Sequence, residues 1–138
     1  MKNILLLGTS WDPNYWTNEK EASYEGAKST DLPEWNELED KCPLAGIGFF
    51  RKHKEKDYSL VQFVYLKING IRSDPDTGYP YFWMTPIKRS RVTSNRLERD
   101  LPEENHEWFS AIEGTVLTEI LKNLGEKPPD AWMELFNG

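Results

Sequence analysis

The order of apolar and polar positions along the chain changes character several times, and each change predicts an element. Asn3 to Gly8 (NILLLG) is a continuous apolar run closed by Gly-Thr-Ser, the pattern of a short buried strand. A long polar stretch from 9 to 40 follows, with Trp11, Tyr15, Trp16, Tyr24 and Trp35 set among Asp12-Pro13-Asn14, Gly26 and Pro33 and no sustained period. Only Asn18 to Lys28 offers a short helix within it. Leu44 to Lys52 (LAGIGFFRK) predicts a second strand, whose Gly46 and Gly48 permit a bend or a close backbone approach. Tyr58 to Ile71 predicts a third, with Leu60, Gln62, Val64, Leu66 and Ile68 on one face and Val61, Phe63, Tyr65 and Lys67 on the other. Apolar residues on both faces call for cover on both sides.

Asp74-Pro75-Asp76-Thr77-Gly78 is a strong turn signal, so Tyr79 to Lys88 should return as a hairpin partner. Pro80 and Pro86 each lack a backbone donor and place that strand at an edge, or bulged, or interrupted. Val92 to Leu101 is basic and irregular. The last third predicts a helix over about 102–124: Asp100 serves as N-cap, Pro102 stands in the first turn, and Glu103 follows three residues after the cap. Trp108, Phe109, Ile112, Val116, Leu117, Ile120, Leu121 and Leu124 recur at spacings of one, three and four, which marks one helix face. Gly125 ends it, and Pro128-Pro129 opens a last short helix through Phe136.

At 138 residues the chain fits one domain, 1–138, with an α+β organisation. Six Trp, six Tyr and six Phe provide the apolar bulk for a core. No apolar stretch approaches the ~20 residues of a membrane span or the core of a signal peptide. Cys42 is the single cysteine and cannot form an internal disulfide, so a reducing cytoplasm is the expected compartment. The net charge of -6 conceals a reversal: residues 1–48 hold four Lys/Arg against nine Asp/Glu, residues 49–99 hold eleven against five, and residues 100–138 hold two against nine. The basic middle contains Arg51, Lys52, Lys54, Lys88, Arg89, Arg91, Arg96 and Arg99. These cations are either solvated strand ends paired with the acidic flanks or contacts for a polyanion.

Catalytic and metal constellations are weak. Ser10, His106 and an acid lack the Gly-x-Ser-x-Gly elbow of a serine hydrolase. Cys42 has no local base, and with only His53 and His106 beside it the ligands for a closed zinc site are missing. Asp74-x-Asp76-x-Gly78 departs from a calcium loop, with Gly at position five and Thr85 at position twelve. Gly46-x-Gly48 leads into Phe49-Phe50 and not into a helix, so it is no phosphate cradle. The chain is expected to be no enzyme and to hold no metal or cofactor. The remaining constellation is aromatic plus basic. Trp11, Trp16, Tyr24 and Trp35, with Asp12 as a hydrogen-bond partner, are candidates to hold a base; Arg51, Lys52, Lys88, Arg89, Arg91 and Arg96 are candidates for the nucleic-acid backbone. Against this stands core packing: Trp108 and Trp132 fit helix faces and Trp83 fits a strand.

The segments NILLLG, AGIGFF and YPYFWMTPIKRSRV, with the amphipathic pattern near the end, together resemble the PUA-like superfamily, particularly its EVE and YTH branches. A Tyr-Trp pair usual in the first strand of EVE domains is replaced here by Ile4 and Leu5, with Tyr15-Trp16 coming later. The resemblance implies a small bent β-barrel of five or six strands with a packed C-terminal helix. It further implies a reader module for a modified, methylated base, similar to the N-terminal domains of McrB-type restriction proteins. DNA stands ahead of RNA as partner, with motor or nuclease domains or subunits elsewhere and no membrane. The alternatives are a small nucleotide-processing enzyme and a protein-interaction domain.

Overall fold

The computed structural model describes residues 3–9, 22–25, 45–50, 62–73, 75–76, 80–105 and 109–137. Among them, six strands form one mixed sheet: β1 (Asn3–Thr9), β2 (Ala22–Glu25), β3 (Ala45–Phe50), β4 (Gln62–Ser73), β5 (Pro80–Thr93) and β6 (Phe109–Glu113). Among the described residues three α-helices accompany it: α1 (Ser94–Asp100), α2 (Gly114–Asn123) and α3 (Asp130–Asn137). The strand order is β2-β5-β4-β3-β1-β6, with β1 and β3 parallel and the other pairs antiparallel. No pairing joins β2 to β6 among the described residues, so the sheet is open and the architecture is α+β.

The continuous apolar run of β1 reflects its central place. Ile4 and Leu6 point to the helix side with Ala45, Ile47, Phe63, Tyr65 and Ile112; Leu97 and Leu101 from α1 and its end, Leu117 and Leu121 of α2 and Trp132 of α3 close over them. Leu5 and Leu7 alternate to the other face and are equally buried, as are Val64, Leu66, Ile68, Phe82 and Met84. Burial on both faces of β4 agrees with its two-sided apolar pattern. Gly46 and Gly48 lie on that second face, where a Cβ on Gly46 would stand 3.1 Å from the Leu5 carbonyl oxygen and 3.3 Å from Ile68 Cδ1. The double glycine is therefore the close approach that its sequence suggested.

Trp132 locks the helix side. Its ring meets that of Tyr65 edge to face at 5.0 Å, Tyr65 meets Phe63 in the same way at 5.3 Å, and the Trp132 Nε1–H donates to the Gly46 carbonyl at 3.1 Å. Gly125 terminates α2 with a φ of 76°. Its N–H bonds the Lys122 carbonyl at 3.0 Å and the Glu126 N–H bonds that of Leu121 at 2.9 Å, which satisfies two orphan carbonyls at the helix end. This turn sets Glu126 where its carboxylate accepts a 2.9 Å bond from Ser90 Oγ.

Four expectations need correction. The helix expected over about 102–124 begins only at Gly114; Glu103–Asn105 is a short 3-10 turn and Phe109–Glu113 is strand β6, paired antiparallel with β1. Asn105 Nδ2 secures this entry by donating to Ser110 Oγ at 3.1 Å and to the Ala111 carbonyl at 3.0 Å. Asp100 is the last residue of α1 and no N-cap, and the stretch 92–101 is the end of β5 followed by that helix. In 18–28, Ala22–Glu25 is a strand, because pairing with Tyr81–Met84 of β5 outweighs local preference. Pro86 is reconciled with an interior strand by the same pairing: β2 ends opposite Met84, so among the described residues nothing pairs with that side of β5 from Thr85 onward.

Candidate nucleic-acid interface

Of the candidate base-binding residues, Trp11, Asp12, Trp16 and Trp35 lie outside the described residues. Tyr24 sits on β2 opposite Phe82. Arg51 and Lys52 also lie outside them, as do Ser10, Cys42, His53 and His106.

The basic run after the hairpin is described, and the fold divides it. Ser90 and Val92 turn inward, Ser90 to the Glu126 carboxylate and Val92 into the helix-side core. By alternation Arg89 and Arg91 project from the opposite face of β5, consistent with Arg89 standing across from Val64. Arg91 and Lys88 are exposed, whereas Arg89 is half-buried. β5 holds this arrangement through irregular pairing with β4, where the register shifts between Gln62 and Val64 and again between Tyr65 and Leu66. Arg96 and Arg99 then stand on the exposed side of α1, three residues apart, while Leu97 on the other side anchors the helix in the core. The cations thus come from two elements in immediate succession, strand and then helix.

Beneath them lies a buried polar group. The Tyr65 hydroxyl is fully buried and no partner meets it in hydrogen-bonding geometry. Its proton is held well above the usual phenol range, by burial first and then by the nearby Glu126 carboxylate; Ser90 acts in the other direction. Ser90 Oγ also accepts the Val92 N–H at 2.9 Å. The cluster fastens the basic end of β5 to the turn after α2. A phenol pushed upward stays protonated and is a poor acid at neutral pH.

Two further features were not legible as site residues. Trp83, which fits a strand in the sequence, is 40% exposed on β5 although its neighbours Phe82 and Met84 are buried. Lys67 and Asn69 on β4 are the signal that could have revealed it, because polar residues on the adjoining strand mark that part of the face as open. A shallow groove of about 430 Å³ runs along α2, lined by Thr115, Val116, Glu119 and Ile120. Its described lining includes no Lys or Arg, and Glu119 disfavours phosphate there. Among the described residues no group of three or more His, Cys, Asp or Glu could hold a metal ion, and no helix is long and apolar enough to cross a membrane.

No protein-family model and no curated protein matches this chain.

Proposed function

We propose that this chain is a nucleic-acid-binding reader module of PUA-like type, with its sheet belonging to a bent barrel, which takes a modified, methylated base from DNA. The observation that carries the reading is the segment from Lys88 to Arg99, where Lys88, Arg91, Arg96 and Arg99 are all exposed within a chain of net charge -6. Glu98 is the only acid in it. A run of cations of this kind in an acidic protein raises the local potential that a polyanion meets, which favours encounter at this segment. Phosphate contacts supply position, and the aromatic residues of the N-terminal stretch supply the faces for an extruded base. Motor or nuclease subunits would act on the DNA so marked.

The test is a binding screen of short labelled DNAs, single- and double-stranded, with and without methylated bases, read by anisotropy across a salt series. The double variant Arg91→Glu, Arg96→Glu should weaken binding to all sequences alike and lower the salt slope by roughly one for each phosphate that the variant no longer neutralises. Arg89 is left intact because it is half-buried and its reversal would disturb the fold. Unchanged affinity and slope would reduce the segment to a solvated edge.

A further inference from the structure

We infer that the open end of the sheet is a stacking platform for an unpaired nucleobase, built by Trp83, Gly70 and Lys67; this rests on the nucleic-acid reading above and adds a second contact to it. Lys67 pairs with Thr85, and Asn69 Nδ2 donates to Thr85 Oγ1 at 2.8 Å, so these residues share one face. Trp83, two residues before Thr85, joins them by alternation. This is the face on which the helices pack, but their cover stops at Tyr65: Lys67, Asn69 and Trp83 are exposed.

Directly across from Trp83 in the β4 register stands Gly70. An aromatic facing a strand glycine commonly folds over it to shield the backbone. Here a Cβ built on Gly70 would meet nothing within 4 Å, so the indole does not cover it. The result is an exposed indole beside a bare stretch of strand, with room for a planar ring to lie against it.

Charge selects the occupant. On this face β4 and β5 carry Lys67 and, opposite Tyr65, Lys88, and neither strand contains an Asp or Glu; Arg89 and Arg91 project from the other face. Among the described residues, Glu25 of the short edge strand β2 is the one carboxylate on the strands of this end of the sheet. A planar group delivered on a polyanionic backbone satisfies both the indole and the cations, and single-stranded DNA has that chemistry. A neutral planar ligand would leave the cations without a role.

The experiment compares a labelled single strand of about 12 nucleotides with the same backbone carrying abasic sites, titrated against four proteins: wild type, Trp83→Ala, Trp83→Phe and Gly70→Leu. Wild type should prefer the strand with bases. Trp83→Ala should weaken that binding roughly 10-fold and erase the preference over the abasic strand, while Trp83→Phe should retain most of it. Gly70→Leu has space for its Cβ, so it should melt like wild type yet block the platform and reproduce the loss. It decides the matter should Trp83→Ala fail to fold. If Trp83→Ala and Gly70→Leu both bind as wild type does, the platform is overturned while the basic segment stands. Equal wild-type affinity for normal and abasic strands overturns it in the same way. No binding of any DNA by wild type overturns the nucleic-acid reading and the platform together.

Discussion

Tyr65 shows how a single polar atom is tolerated inside an apolar layer. Its ring completes the aromatic stack with Phe63 and Trp132, but its hydroxyl is buried without a hydrogen-bond partner. Removing an unsatisfied buried group while keeping the ring is close to neutral or favourable. Tyr65→Phe should therefore leave the stability at neutral pH unchanged or raise it by up to about 1 kcal/mol, as measured by urea unfolding. The pH dependence is more telling. The folded phenol is held above the unfolded value of about 10, so the folded state keeps a proton that the unfolded chain releases. Wild-type stability should fall as pH rises beyond about 10, and Tyr65→Phe should lose that part of the slope, about 1.4 kcal/mol for each pH unit. Trp132 has no such latitude. Trp132→Ala removes the stack and the bond to Gly46 together, and should cost roughly 3 to 5 kcal/mol in the same assay.

Glycines distinguish what each element demands of its sequence. Gly125 ends α2 in the left-handed region, so Gly125→Ala should cost about 1 kcal/mol through backbone strain alone. Gly46 and Gly48 of β3 differ in what a methyl group would strike. At Gly46 it meets the backbone oxygen of Leu5 at 3.1 Å, whereas at Gly48 it meets only Leu66 Cδ1 at 3.2 Å, the end of a rotatable side chain. Gly46→Ala should be clearly the more destabilising of the two in parallel thermal melts. Such elements were legible where the signal is local: the run of β1, the glycines of β3, the turn at Pro75 and Asp76 before β5, and the double proline before α3. Strand β6 was hidden because Phe109, Ile112 and Val116 fall at helical spacing, while the partner that makes 109–113 a strand is Ile4 at the opposite end of the chain. Helix α1 has only Leu97 to mark its inner face, and the four-residue β2 exists by virtue of β5. For the site, the density of cations from Lys88 to Arg99 was readable as charge. Its division between a strand and a helix was not, because charge counting has no period.

At the scale of the molecule, the two ends of the chain meet in one layer. β1 lies between β3 and β6, and the helix-side core that it supports is closed by α2 and α3 from the last third. A chain ended before Phe109 would lose β6 and, with it, Ile112, Leu117, Leu121 and Trp132 from that core. We expect such a chain to show no cooperative unfolding transition by circular dichroism, where the full chain shows one. The same arrangement governs folding in time. During synthesis Ile4–Leu7 leaves the ribosome before its partners, and Leu5 must wait for Gly46 to pair on one side and for Ala111 on the other. Until then the most apolar run of the protein has no place to go. Long-range pairings of this kind fold slowly and leave hydrophobic segments exposed to chaperones and to other nascent chains. The strand at the centre of the native sheet is thus the one that the newborn chain must keep from misassociating for longest.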